Sequence, residues 1–100
     1  MAKNTFDKQY VTNLLNKNKK RISIEISQSK ELIYLIKEST IRQLTDNEKS
    51  KIKIQLLDIF KTIPALAIFM LPGAMLLLPL AIKLIPNLLP SAFSKNFEEE

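Results

Sequence analysis

Three groups of residues in this chain are of the right type and spacing to do chemistry. Lys17, Lys19, Lys20 and Arg21 gather four cations in a short stretch, a density suited to phosphate groups. On anionic lipid each basic residue near the surface contributes about 1 kcal/mol, and on ribosomal RNA phosphate neutralisation gives salt-dependent binding without sequence preference. A solvated helix end with its linker is the third reading of the same cluster. Asp58 is the acidic residue nearest, on the N-terminal side, to a long uncharged run. It either gates a cation or pairs with Lys61, or with neighbours on the Lys51 side, along one helix surface. Pro64, Pro72, Gly73 and Pro79 fall inside the run, and each proline lacks a backbone donor and leaves a carbonyl without its helical partner. Such carbonyls can hold a cation, with Pro72-Gly73 the best place for it. The plainer role of the prolines is to kink a packed helix.

Other chemistry is excluded by residue type. The chain has no cysteine and no histidine, which removes disulfides, thiolate nucleophiles, histidine acid/base work and nearly all zinc or haem sites. No Walker, Rossmann, metal-ligand or nucleophile-base pattern occurs. The sequence therefore reads as a non-enzyme with no catalytic residue, cofactor, metal or small-molecule substrate. Phe6, Tyr10 and Tyr34 read as packing residues rather than platforms for stacked bases.

The element that must position these groups is the run itself. Thr62 to Ile82 is 21 residues without a charge, bracketed by Lys61 and Lys83, and sixteen of them are apolar. As one helix it would be about 30 Å long, the thickness of a bilayer core. The expected fold class is accordingly an all-α membrane protein: short amphipathic helices followed by one proline-kinked transmembrane helix, with the lipid bilayer as a partner. The alternative is a buried hairpin of a larger complex, turning at Pro72-Gly73 with two apolar arms of about nine residues. The run begins too far into the chain, and is too long, to be a cleavable signal. Pro72, Pro79 and Pro86 recur every seven residues, which on a continuous helix places them on one face and suits a fixed bend or a homo-oligomer contact. Lys83 is expected to snorkel to the headgroups. Residues 1–61 hold thirteen Lys or Arg against seven Asp or Glu, and residues 83–100 hold two against three, so the positive-inside rule puts the N-terminal part in the cytosol.

Around the run, three regions follow: a basic amphipathic helical region over 1–44, a capped helix running into the span over 45–90, and an exposed tail over 91–100. Residues 5–18 show Phe6, Tyr10, Val11, Leu14 and Leu15 at helical spacing behind Thr5 as a possible cap. Ile22, Ile24 and Ile26 alternate like a strand, yet Ile22, Ile26, Leu32, Ile33 and Ile36 also make a helical stripe, and residues 23–44 are read as mostly helix. Thr45 and Glu48 have the spacing of a capping box. The helix they start carries Ile52, Leu56, Ile59 and Ile63 on one face and meets no breaker before Pro64. Pro86 to Pro90 reads as an interfacial exit with a turn.

From Leu44 to Phe93 the order of residues resembles the membrane-entry region of the Letm family, the leucine-zipper and EF-hand-containing transmembrane proteins of the mitochondrial inner membrane and their bacterial relatives. The resemblance is carried by Leu44-Thr45 with Glu48, Asp58-x-Phe60, Pro64, Phe69, Pro72, Leu77-Leu78-Pro79 and Lys83-Leu84. It closes on Pro86-Asn87-x-Leu89-Pro90-Ser91-x-Phe93, its most specific part. It implies an inner-membrane protein, bacterial or mitochondrial, and two functions. One is an accessory or interaction subunit that docks on a membrane complex or ribosome. The other is a component of a cation/proton antiporter for potassium or calcium. The chain departs from the family at Met75, where an acidic residue is usual, and lacks the large C-terminal domain, so it reads as a short or truncated relative. The resemblance also places the part after the span on the cytosol-equivalent side, in conflict with the charge bias.

Overall fold

The computed structural model describes residues 7–93, apart from the side chain of Met75. Thr5 and Phe6, the expected cap and first apolar contact, lie outside these residues. The described chain is all helical: α1 (Lys8–Lys17), α2 (Lys19–Ser27), α3 (Lys30–Ser39), α4 (Asp46–Lys61), a 3₁₀ helix (Pro64–Met70), a second one (Ala74–Leu77), α5 (Leu78–Leu88) and a closing 3₁₀ turn (Pro90–Phe93).

The expected membrane-spanning helix does not form. Among the described residues no helix is long and apolar enough to cross a membrane. The cause lies in the backbone. A proline disfavours helical angles in the residue before it, and Ile63 is extended at φ −118, ψ 104, which ends α4 ahead of Pro64. Leu71, before Pro72, is extended as well, and Gly73 has φ 85. The amide of Ala74 donates to the Leu71 carbonyl at 3.1 Å, so Leu71 to Ala74 form a type II turn, with proline and glycine at the positions that turn demands. Pro79 then sits in the first turn of α5, where its missing donor costs nothing.

Much of the apolar surface of the run is covered by the protein's own core, with Leu71 and Leu76 left exposed. A 3₁₀ helix has three residues per turn, so Ile63, Leu66 and Phe69 line up on one side, and all three are buried. Phe69 meets the fully buried Phe60 of α4 with ring centroids 4.9 Å apart and planes tilted by 38°. Beyond the turn Leu78, Ala81, Ile85, Leu89 and Ala92 continue the buried face. They pack α5 against α1 and α3, and the closing 3₁₀ turn against α2 and α3.

The N-terminal half supplies the other wall. Val11 and Leu15 of α1 and Ile22 and Ile26 of α2 are wholly buried, whereas Ile24 is 47% exposed, so the helical reading of the three isoleucines holds and the alternating one fails. The single helix expected over 23–44 is two. The Ser29 hydroxyl accepts the Leu32 amide at 3.2 Å as the cap of α3, and it donates to Gln55 Oε1 of α4 at 2.9 Å. Gln55 Nε2 in turn donates to Glu31 at 2.9 Å, and Lys51 lies 3.4 Å from the same carboxylate. This chain of contacts joins the start of α3 to the middle of α4. The capping box at Thr45 and Glu48 forms as read, with bonds of 3.1 and 2.9 Å.

Two smaller expectations change. The seven-residue recurrence of Pro72, Pro79 and Pro86 is not a helical face, because Pro72 lies in the turn while Pro79 and Pro86 lie in α5. Pro86 also does not begin an exit turn. α5 passes through it to Leu88 and stops before Pro90.

Candidate functional site

The basic cluster sits at the junction of α1 and α2. Lys17 ends α1, where a cation suits the negative end of the helix dipole, and Lys19, Lys20 and Arg21 open α2. Asn18 makes the joint, its side-chain amide donating to the Leu14 carbonyl at 2.9 Å. With Leu15 and Ile22 anchored in the core on either side, the four cations are all exposed. They are not equivalent. Arg21 pairs with Glu25 at 3.7 Å and donates across 41 positions of sequence to the Thr62 carbonyl at 3.3 Å. That carbonyl is one of the groups at the end of α4 with no helical partner, so Arg21 ties the junction to the residue after Lys61. Lys17, Lys19 and Lys20 have no ion-pair partner among the described residues.

Asp58 and Lys61 face each other at 3.7 Å on the outer surface of α4, both about two-thirds exposed. Phe60, between them in sequence, points the other way into the core. Pro64, Pro72, Gly73 and Pro79 are exposed. The carbonyls of Leu71 and Gly73, beside the Pro72-Gly73 break, accept the amides of Ala74 and Leu76 at 3.1 Å each. In the closing motif the buried members are Leu89 and Ala92, Phe93 is half-buried against the core, Pro86 is half-buried, and Asn87, Pro90 and Ser91 are exposed. Lys83 is exposed on α5. The structure thus does not gather the sequence-selected residues at one place: the basic junction, the Asp58 to Lys61 pair, the proline turn and the closing motif are separate features of one small surface.

One node escaped the sequence reading. Arg42, in the loop after α3, donates from Nε to Glu38 at 2.6 Å and from two guanidinium nitrogens to the Glu48 carboxylate at 3.1 and 2.9 Å. The Arg42 bonds, followed by the Thr45 amide, hold the Glu48 carboxyl down at about 2, and Arg42 is held more firmly protonated by Glu48 and Glu38. The signal was the spacing of four between Glu38 and Arg42, the helical ion-pair interval. The second contact, to Glu48, depends on the loop between.

The sequence is matched over residues 44–100 by the model of the family described as LETM1-like, RBD. It is similar to the LETM1 domain-containing protein mdm28, mitochondrial, of Schizosaccharomyces pombe, with 38% identity over 81 residues that make up 81% of this chain and 17% of that protein. It is similar to the same degree and extent to the LETM1 domain-containing protein YLH47, mitochondrial, of Saccharomyces cerevisiae. The chain therefore spans about one sixth of the length of the curated relatives it matches. No solved structure matches it. With more than half of its residues inside the family model, and the proline-rich stretch from Leu44 to Phe93 within that match, the chain belongs to the LETM1-like, RBD family.

Proposed function

We propose that this chain is a docking module of its family, an accessory subunit that rests the α1–α2 junction on ribosomal RNA. The observation that supports the reading is the set of three exposed lysines, Lys17, Lys19 and Lys20, presented without ion-pair partners on a junction that is anchored by Leu15 and Ile22 and braced by Arg21 on Thr62. Unpaired cations on a rigid support suit phosphate contacts, because no existing salt bridge has to break before they form. In a eukaryote the reading takes the chain to the mitochondrion, where its named relatives belong, and in a bacterium to ribosomes at the cytoplasmic membrane.

Co-sedimentation with ribosomes over a range of salt concentrations tests it. Binding is expected to fall linearly on a log-log plot, and K17E/K19E/K20E is expected to weaken it and to reduce the slope by about 2 to 3. An unchanged slope in that variant overturns the reading, and so does retention on vesicles of anionic lipid with none on ribosomes. Cation/proton antiport has less behind it in this chain. Between Lys61 and Lys83 there is no ionisable side chain, and the carbonyls beside Pro72-Gly73 already accept backbone amides.

A further inference from the structure

On the side of the molecule where α4 begins, α4 and α5 enclose an open cleft of about 420 Å³. Its apolar lining comes from Leu44, Ile52, Leu76, Leu78, Pro79 and Ile82. Ile52 and Leu78 are buried side chains of the core, while Leu76 is 82% exposed, its apolar surface uncovered beside the cleft. The polar part of the lining is one-sided in charge. Lys49 and Lys53, one helical turn apart on α4, both line the cleft and have no ion-pair partner among the described residues. Arg42 lines it too, but is taken up by Glu38 and Glu48.

We propose that this cleft binds a long-chain carboxylate, its alkyl chain on the surface formed by Leu44, Ile52, Leu78 and Ile82 and its head between Lys49 and Lys53. Size and charge select this occupant. The volume lies in the range of small-ligand pockets, whereas a partner helix, about 10 to 12 Å across, needs a groove that takes anchors over two or more turns. Lys49 and Lys53 contribute two positive charges, and Arg42 with Glu38 and Glu48 contributes one net negative charge. The resulting single positive charge matches a monoanion. An alkyl chain also covers the exposed Leu76, which nothing within the described chain does.

The test is calorimetric titration of the intact chain with octanoate, decanoate and dodecanoate, each below its micellar concentration, with decyl maltoside as the neutral amphiphile. One saturable site is expected, with affinity rising by up to about fourfold for each added methylene. K49Q/K53Q is expected to lower carboxylate affinity about tenfold while leaving decyl maltoside unaffected. Amide shifts on decanoate binding are expected at Leu44, Ile52 and Leu78. Lys49, Lys53 and Leu76 are all exposed, so K49Q/K53Q and the rim variant L76D keep the fold, and L76D is expected to weaken decanoate and decyl maltoside alike by removing apolar surface that the alkyl chain covers. Equal affinity for the neutral amphiphile overturns the proposal, as does binding only above the micellar concentration or shifts that map elsewhere. A concentration-dependent dimer that shifts the same amides without taking up carboxylate overturns it in favour of a second copy of the chain.

Discussion

Arg42 lays two guanidinium nitrogens on the Glu48 carboxylate, at 3.1 and 2.9 Å, while an oxygen of that carboxylate accepts the Thr45 amide at 2.9 Å. One carboxylate thus closes the capping box of α4 and, through the bond from Arg42 to Glu38, links α4 to the end of α3. Its carboxyl is held from the ordinary 4.5 down to about 2, first by Arg42 and then by the Thr45 amide. A depressed carboxylate contributes stability that is present above its unfolded value and lost as pH falls through the folded one. The contribution is therefore complete at pH 7 and disappears between about pH 4.5 and pH 2. E48Q is expected to melt below the parent at pH 7, with the two melting curves converging near pH 2, as followed by circular dichroism.

The other half of the same box makes a simpler test. T45A removes the hydroxyl that accepts the Glu48 amide at 3.1 Å, and loss of an N-cap costs about 1 kcal/mol. A fall in melting temperature of about 4 to 8 °C is expected, and T45S is expected to restore most of it.

Gly73 has φ 85, and a Cβ built there meets nothing within 4 Å. G73A therefore costs backbone strain alone, about 1 to 2 kcal/mol, and is expected to lower the urea midpoint without changing the slope of the transition. Asparagine tolerates this region better than alanine, so G73N is expected to fall between the two.

Phe60 is fully buried and stacks on Phe69. F60A should cost about 3 to 5 kcal/mol, a large part of the stability of a small domain. F60L, which keeps most of the volume, is expected to cost well under half as much in the same denaturant titration.

Arg21 and its lysine neighbours separate bracing from binding. R21A removes the bond to the Thr62 carbonyl and is expected to cost about 0.5 to 1.5 kcal/mol of stability. K19E/K20E changes exposed, unpaired residues and is expected to stay within about 0.5 kcal/mol of the parent while weakening ribosome co-sedimentation.

Local features of this chain are written in its sequence, because local geometry has few solutions. Thr45 and Glu48 specify a helix start at any place in a fold, Pro72-Gly73 specifies a type II turn, and the stripe of Ile22, Ile26, Leu32, Ile33 and Ile36 specifies which helical faces are buried. The run of residues that carries the family motif is equally legible. What lies opposite the apolar stretch from Thr62 to Ile82 is not. Length and mean hydropathy add up apolar surface without saying whether lipid or the rest of the chain will cover it, and a proline that could kink a continuous helix can equally end one, as Pro64 does through the extended Ile63 before it. The three-residue interval of Ile63, Leu66 and Phe69 acquires meaning only with Phe60 of α4 packed against it. The bond from the Ser29 cap to Gln55 depends on how α3 and α4 pack, and the second contact of Arg42 on the loop that brings Glu48 back. Those pairings join residues six to twenty-six positions apart, distances over which sequence spacing carries no geometry, and packing alone decided them.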